Sequence, residues 1–305
     1  MPIKICFFNH YHNGDLLATK EFVRELMQKV PAEYYYMNHK HPKVLGDLPA
    51  SRVFLSDLAM QGIQQNAKFA FIEKDNTLMV NTWIGAYIDN IANKADLPFK
   101  IPAPNLTSEG INWKTYHGIW KYIFSVISVI IERQITLSGN PQDYAHSIDY
   151  TKFACRFELP QRDKLVLFSN GLVESGQNHI NDDMSQHITH FANQYPNYKF
   201  ICTRKFNKTQ ENILFVEDLV QNSEGCDLNE IACISEYCDV VIGRNSGPFL
   251  FTNTKANLSN PNKKFLAFGR NYGDCFPAAL SFPCDFRFIV DSSQETIRQG
   301  IEDIL

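Results

Sequence analysis

What most limits the folds open to this chain is an alternation that occurs twice: short apolar, β-branched or aromatic runs followed by segments of helical period. In the first half, Lys4 to Phe8 reads as a strand and Asn9 to Gly14 as a loop. Asp15 opens a helix, as cap or first-turn residue, with apolar positions Leu16, Leu17, Phe22, Val23, Leu26 and Val30 and with Pro31 closing it. Tyr34 to Met37, Asp47 to Ser56 and Phe69 to Val80 read as further short strands with turns between them, and 81–87 as a loop. KIPAPN at 100–105 breaks the pattern, and Trp113 to Leu137 reads as a long apolar helix packed on the first sheet. Gly139 to Asp163, with Pro141 and Pro160, is the candidate linker.

The second half restarts the pattern. Strands are expected at Leu165–Ser169, Tyr198–Thr203, Ile213–Val216, Val240–Ile242, Lys264–Phe268 and Phe286–Val290, with helices at Met184–Tyr195 and Leu228–Tyr237. Strands alternating with helices imply parallel sheets with βαβ crossovers. The expected class is therefore α/β, as two domains over residues 1–150 and 151–305 that face each other across a cleft at the carboxyl ends of their strands.

Bulk properties remove several functions. A net charge of −4 argues against a general nucleic-acid binder. Eight scattered cysteines without a CxxC pair, several inside apolar runs, fit a reduced, cytoplasmic protein. The start MPIKICFF has no long apolar stretch of a secretory leader, and YIFSVISVII is too short to span a bilayer. At most peripheral membrane contact is expected. No G-x-G-x-x-G follows the Lys4 or the Leu165 strand, which disfavours a dinucleotide-dependent dehydrogenase.

The stretch with the most chemistry runs from Cys233 to Asn257. A helix end is followed by the Val240–Ile242 strand, a tight polar turn from Gly243 to Pro248, and a helix from Phe249 onward with Pro248 in its first turn. Such a turn aims unpaired N–H groups and the positive end of a helix dipole at one place, which suits phosphate. Arg244, placed in the turn, adds a charge-assisted contact. An ordinary strand–helix connection has the same outline. Near the N-terminus, His10, His12, His39 and His41 raise the question of a metal, but HYH and HKH separated by a whole helix do not give a tetrahedral set by spacing.

Two stretches together resemble the GT-B glycosyltransferases, and within them the heptosyltransferase branch. One is Asn13-Gly14-Asp15-Leu16-Leu17-Ala18-Thr19, similar to that family's Gly-Asp-Leu-Leu helix start. The other comprises Glu230-Ile231-Ala232, Cys238-Asp239-Val240-Val241-Ile242-Gly243 and Asn245-Ser246-Gly247-Pro248. The resemblance implies two Rossmann-like domains and inverting transfer of a sugar from a nucleoside-diphosphate donor to a hydroxyl of a glycan or glycolipid. By this resemblance Asp15 is the general base, a role that competes or coexists with helix capping. His12 and His10 are alternative bases or acceptor ligands, and Asn13, Gly14 and Trp83 are candidate acceptor contacts.

On the donor side the candidate set is Arg244, Asn245, Ser246, Gly247 and Pro248 of the turn, Asn170 and Gly171 at the end of the Leu165 strand, Arg204 and Lys205 after the next strand, and Glu217 and Asp218 after ILFV, the last four charged residues reading equally as surface charge. No Asp-x-Asp stands in a suitable loop, Asp182-Asp183 reading as a helix start, so metal-independent stabilisation of the diphosphate and no cofactor are expected. The chain departs from the family at Asn245, preceded by Arg244, and at the loop HYHNGD; its middle region also differs, so the acceptor need not be lipopolysaccharide core. A fucosyltransferase-like enzyme fits the Asn-Ser-Gly-Pro turn equally well. The alternatives are a sugar-nucleotide epimerase or hydrolase of the same fold and a catalytically silent nucleotide- or glycan-binding protein.

Overall fold

The computed structural model describes residues 3–9, 12–38, 42–49, 51–54, 69–74, 76–88, 95–96, 112–152, 163–172, 183–220, 228–270, 275–277, 280–290 and 293–305. The chain divides into two compact units, Met1–His146 and Ser147–Leu305.

The first unit is built on strands β1 (Lys4–Asn9), β2 (Glu33–Asn38), β3 (Ser51–Phe54), β4 (Phe71–Lys74), β5 (Thr77–Asn81) and β6 (Ala95–Asp96), in the order β3-β2-β1-β5-β4-β6. All neighbours run parallel except β4 and β5, which form an antiparallel pair. Their tight turn holds Asn76 at φ 58°, a left-handed position that asparagine tolerates. Helices α1 (Asn13–Lys29), α2 (Gly85–Ile88) and α3 (Trp113–Ile130) accompany the sheet. Phe22 of α1 stacks on Trp120 of α3 at 5.6 Å between ring centroids, and Phe7 of β1 lies 6.1 Å from the same indole. This aromatic seam welds α1 and α3 to the sheet.

Several boundaries differ from the sequence reading for identifiable reasons. Asn13 and Gly14 belong to α1 and not to a loop, because the His12 carbonyl already accepts from Asp15 N–H at 3.1 Å and from Leu16 N–H at 3.3 Å. Asp47 lies in a turn after a 3₁₀ segment at Pro42–Leu45, so it does not open the strand expected at Asp47–Ser56; among the described residues that strand covers Ser51–Phe54. Asn81 ends β5, and part of the expected 81–87 loop is helical.

The long apolar helix stops at Ile130, short of Leu137. Glu132, at φ 51°, lets its N–H reach the Val129 carbonyl at 3.3 Å while Arg133 N–H reaches Ser128 at 3.1 Å, which closes the helix end in a Schellman motif. The stretch after it is no free linker at its start. Tyr144 stacks on Phe22 at 4.0 Å, and its hydroxyl donates to Glu25 at 2.5 Å. Residues 153–162, the rest of that linker up to Asp163, lie outside the described residues.

The second unit contains β7 (Lys164–Ser169), β8 (Tyr198–Cys202), β9 (Ile213–Phe215), β10 (Val240–Arg244), β11 (Lys264–Gly269) and β12 (Asp285–Val290). All pairs are parallel, in the order β12-β11-β10-β7-β8-β9. Counted from the first strand of the unit this is 3-2-1-4-5-6, the doubly wound order of Rossmann sheets. Helices α4 (Ser185–Gln194), α5 (Val216–Leu219), α6 (Leu228–Tyr237), α7 (Gly247–Thr252), α8 (Lys255–Leu258) and α9 (Gln294–Ile304) complete it.

Alternation along the strands sends Val166, Phe168, Val240, Ile242, Leu266 and Phe268 into one buried cluster with Ile188 and Phe191 of α4 and Ile297 and Ile301 of α9. On the opposite face Phe249 of α7 meets Phe265 edge-on at 6.2 Å between centroids. The amino ends of the two central strands are tied by one residue. Asp239 donates its N–H to the Leu165 carbonyl and accepts the Leu165 N–H on its carboxylate, both at 2.9 Å. Buried Lys263 closes the C-terminus of α6, donating to the Ser235 carbonyl at 2.7 Å and to that of Cys238.

Cys6, Cys202, Cys233, Cys238, Cys275 and Cys284 are free and buried, and burial pushes the Cys6 and Cys238 thiols up to about 12. They are packing residues. Among the described residues no helix is long and apolar enough to cross a membrane.

Candidate functional site

An open doubly wound sheet binds ligands where its strand order reverses, outside the carboxyl ends of the strands. Each unit has one such point, and the residues singled out by sequence concentrate at both.

In the first unit the reversal lies between β1 and β5. The chain leaves β1 at Asn9 and enters α1 with His12 as N-cap, so Asn13, Gly14 and Asp15 form its first turn. Asp15 is thus neither the cap nor a loop residue. Its carboxylate reaches back to the His12 N–H and to its own, as the third-position acid of a capping box does. Burial lifts the Asp15 carboxyl above the usual carboxylate range, opposed by the His12 charge, the two N–H groups and the Tyr116 hydroxyl.

A buried polar layer underlies it. Thr19, one turn along α1, lies 3.4 Å from the Tyr36 hydroxyl, which hydrogen-bonds Thr82 at 2.8 Å. Asn9 donates to the same Thr82 hydroxyl at 3.2 Å. Trp83 follows after the end of β5, its N–H donating to Asn81 at 2.9 Å and its indole packed against Gly85. A Cβ on Gly85 would fall 2.2 Å from the ring. Asn13 Oδ1, two residues before Asp15 in the chain, is buried and makes no hydrogen bond. His12 is exposed. His10, His39 and His41 lie outside the described residues.

In the second unit the reversal lies between β7 and β10. Gly243 and Arg244 are the last residues of β10, not part of the turn; only Asn245 and Ser246 separate the strand from α7, whose first residues are Gly247 and Pro248. Gly243 is forced by packing: a Cβ there would lie 2.6 Å from Ser169 Cβ, across the strand pair, and 3.1 Å from the Phe249 ring. Ser246 caps α7 without using its hydroxyl, and the space in front of Gly247 is open. Ser169, at the carboxyl end of β7, is buried with its hydroxyl unpaired.

Arg244 is 1% exposed, its guanidinium 5.8 Å from the Phe268 ring centroid. It and Arg204 act on Asp183, whose carboxyl sits below the usual range chiefly because Ser185 N–H donates to it. Asp183 precedes α4; its neighbour Asp182 lies outside the described residues.

The remaining donor candidates have other occupations. Asn170 holds the end of β8: its amide donates to the Arg204 carbonyl at 2.9 Å and accepts the Arg204 N–H at 2.8 Å. It therefore positions Arg204 while its own polar atoms are engaged. Gly171 stands in open space. Lys205 pairs with Asp218 at 2.6 Å and Glu217 at 3.5 Å, all three exposed, so the structure gathers these residues into one surface ion cluster. A polar groove between α4 and α9 lies elsewhere; its walls pair His187 with Gln294 and His190 with Arg298. Among the described residues no three His, Cys, Asp or Glu side chains converge as a metal site.

Sequence reading missed Ser169, Tyr36 and Tyr116, which lie in apolar runs or ordinary helical positions and carry no local signal; Thr82 stood in the 81–87 stretch expected to be a loop. The tight approach at Gly243 yields a prediction. Gly243→Ala is expected to destabilise the protein by about 1–3 kcal/mol through overpacking against Ser169 and Phe249. Gly171→Ala, with nothing in front of it, should leave the unfolding midpoint almost unmoved; thermal denaturation of the two variants checks the contrast.

No family model and no curated protein matches the chain by sequence. Its fold is similar to solved structures. The glycosyl transferase family 9 protein of Veillonella parvula matches at a TM-score of 0.53 with 14% identity, over 99% of this chain and 92% of that one. The E. coli ADP-heptose LPS heptosyltransferase II matches at 0.54 with 13% identity, over 98% of each chain. The fold is that of GT-B proteins, one Rossmann-like unit in each half of the chain.

Proposed function

We propose that this chain is an inverting glycosyltransferase that moves a sugar from a nucleoside-diphosphate donor to a hydroxyl of a glycan or glycolipid. The observation that carries the reading is the coincidence of chemistry with topology: a partly buried acid in the first turn of α1 at the β1/β5 reversal of one sheet, and a glycine-lined strand end with a buried arginine at the β7/β10 reversal of the other. Likeness of fold to two sugar transferases, one of them named for ADP-heptose, supports the same class.

In the proposed reaction the acceptor O–H gives its proton to the Asp15 carboxylate as its oxygen bonds to the anomeric carbon. The bond from that carbon to the diphosphate breaks, its electron pair leaving with the nucleoside diphosphate, and the configuration at the carbon inverts. Charge building on the leaving group is met by N–H groups around Ser246 and Gly247 and by Arg244, with Arg204 held nearby by Asn170. Arg244, the last residue of β10, is better fixed than a turn residue would be, since it pairs with Phe268 of β11.

Thermal unfolding in the presence of ADP, GDP, UDP and CMP reports the donor class. A ligand at about a hundred times its Kd should stabilise by about 2.7 kcal/mol, and one base should stand out. Turnover of the corresponding nucleotide sugar with an acceptor mixture then follows. If none of the nucleotides moves the midpoint, the donor site is misplaced; binding without turnover points to a silent binding protein.

A further inference from the structure

We propose that Ser169 is a further donor-binding residue, its buried hydroxyl donating a hydrogen bond to a phosphate oxygen of the nucleoside diphosphate. The inference rests on the reading that puts the donor at the β7/β10 reversal. Ser169 is 1% exposed, and its Oγ makes no hydrogen bond. It ends β7 and pairs in register with Gly243 of β10, so it stands where the strand order of the second sheet reverses. Its neighbour Phe168 faces the cluster formed with α4 and α9, so by alternation Ser169 faces the other side of the sheet, where Phe249 of α7 packs. The Ser169 Cβ and the Phe249 ring both border the space that a side chain on Gly243 would fill. The hydroxyl therefore lies on the α7 face, beside the strand end from which Asn245 and Ser246 lead into that helix.

A buried hydroxyl without a partner is rare, because its desolvation is not offset. Other buried hydroxyls of this unit bond back along their own helices: Ser235 donates to the Ala232 carbonyl at 2.6 Å and Thr252 to that of Phe249 at 2.7 Å. A helix brings a carbonyl within reach three residues back, and a strand does not. At the corresponding reversal of the first sheet, Thr82 is engaged by the Tyr36 hydroxyl at 2.8 Å and by the Asn9 amide at 3.2 Å. Ser169 has neither recourse. An ionised acceptor suits it best, since a charge-assisted hydrogen bond is about twice as strong as a neutral one. Because Gly243 carries no side chain, Ser169 has room on that flank, and a change of χ1 well brings Oγ to the ligand.

The test is Ser169→Ala, which deletes one oxygen and keeps the Cβ packed against Gly243. Without ligand, thermal unfolding of the variant should give a midpoint equal to or above that of the unaltered protein, since no hydrogen bond is lost and a desolvated hydroxyl is removed. Calorimetric titration with whichever of ADP, GDP and UDP binds the unaltered protein best should give a Kd about tenfold to a hundredfold weaker in the variant, as expected for one charge-assisted hydrogen bond. A lowered midpoint would mean that the hydroxyl already has a partner in the free protein. An unchanged Kd would mean that the diphosphate does not use it, and either result overturns the proposal. Failure of the donor-site reading looks different: the unaltered protein itself binds none of the three, and the assignment of Ser169 falls with it.

Discussion

Asp15→Asn is expected to lower kcat/KM for sugar transfer by about 10² to 10⁴, the range that a positioned general base supplies. Asparagine keeps the shape and can still accept the His12 N–H, so α1 should start at the same residue and nucleoside-diphosphate binding should survive. The pH dependence has a definite sign. Burial raises the Asp15 carboxyl in the folded state, so ionising it costs more there than in the unfolded chain. Its contribution favours the folded state at acid pH and declines as pH climbs from the ordinary carboxylate range through the raised value. Relative to the asparagine variant, the unaltered protein should therefore gain stability on acidification. Activity runs the other way, because the base works only when ionised: the acid limb of kcat/KM should lie above the usual carboxylate range and disappear in the variant. Rate profiles and calorimetric binding of the preferred nucleoside diphosphate check both halves. An asparagine variant with full activity would remove Asp15 from the reaction.

The alternation of strand and helix was open to sequence reading because both faces of these parallel sheets are covered, so their strands read as apolar runs. Where reading failed, a residue's usual meaning was overridden by a neighbour remote in sequence. Gly243 signals a turn in isolation, yet it sits in a central strand because Ser169 of β7 fills the space its side chain would need. Arg244 carries the same lesson, a charged residue in a central strand position. Gly14 likewise suggested a loop, since glycine weakens helices, while the His12 carbonyl had already begun one. Glu132 ended α3 in a left-handed conformation normally marked by glycine, which no composition rule would flag. The antiparallel hairpin was the nearest miss. Asn76 at its turn was a usable signal, but the run from Phe69 to Val80 gave strands without their direction. Within the sites, first-turn residues such as Asp15 were legible because motif and helix start coincide, whereas Ser169 becomes relevant only once β7 is laid against β10.

Asp47→Ala is expected to give the largest loss of stability, about 3–5 kcal/mol, because it leaves a buried ammonium without its counter-charge. Lys20 is fully buried and donates to both Asp47 oxygens, at 3.2 and 2.9 Å. Arg24 also reaches Asp47, at 3.0 Å, but is a quarter exposed and also paired with Glu21, so it can turn to solvent when the acid is gone. Lys20 has no such exit. Burial already holds its ammonium below the usual lysine value, with Asp47 pulling it back up, so losing Asp47 drives it further down. The sign follows: a lysine whose folded value lies below its unfolded one destabilises the fold while protonated, and the deficit shrinks as pH rises through that folded value. Denaturation of Asp47→Ala should thus show a lower midpoint at neutral pH that partly recovers under alkaline conditions. The double variant Lys20→Met/Asp47→Ala should regain part of the loss, since no buried ammonium is then left without its counter-charge. The pair also locks α1, the helix that carries Asp15 in its first turn, against the segment around Leu45. Below its lowered midpoint Asp47→Ala should therefore lose activity only as far as it unfolds, whereas Asp15→Asn should stay folded and inactive. A single-variant loss no larger than that of the double variant would mean that the buried charge finds another partner.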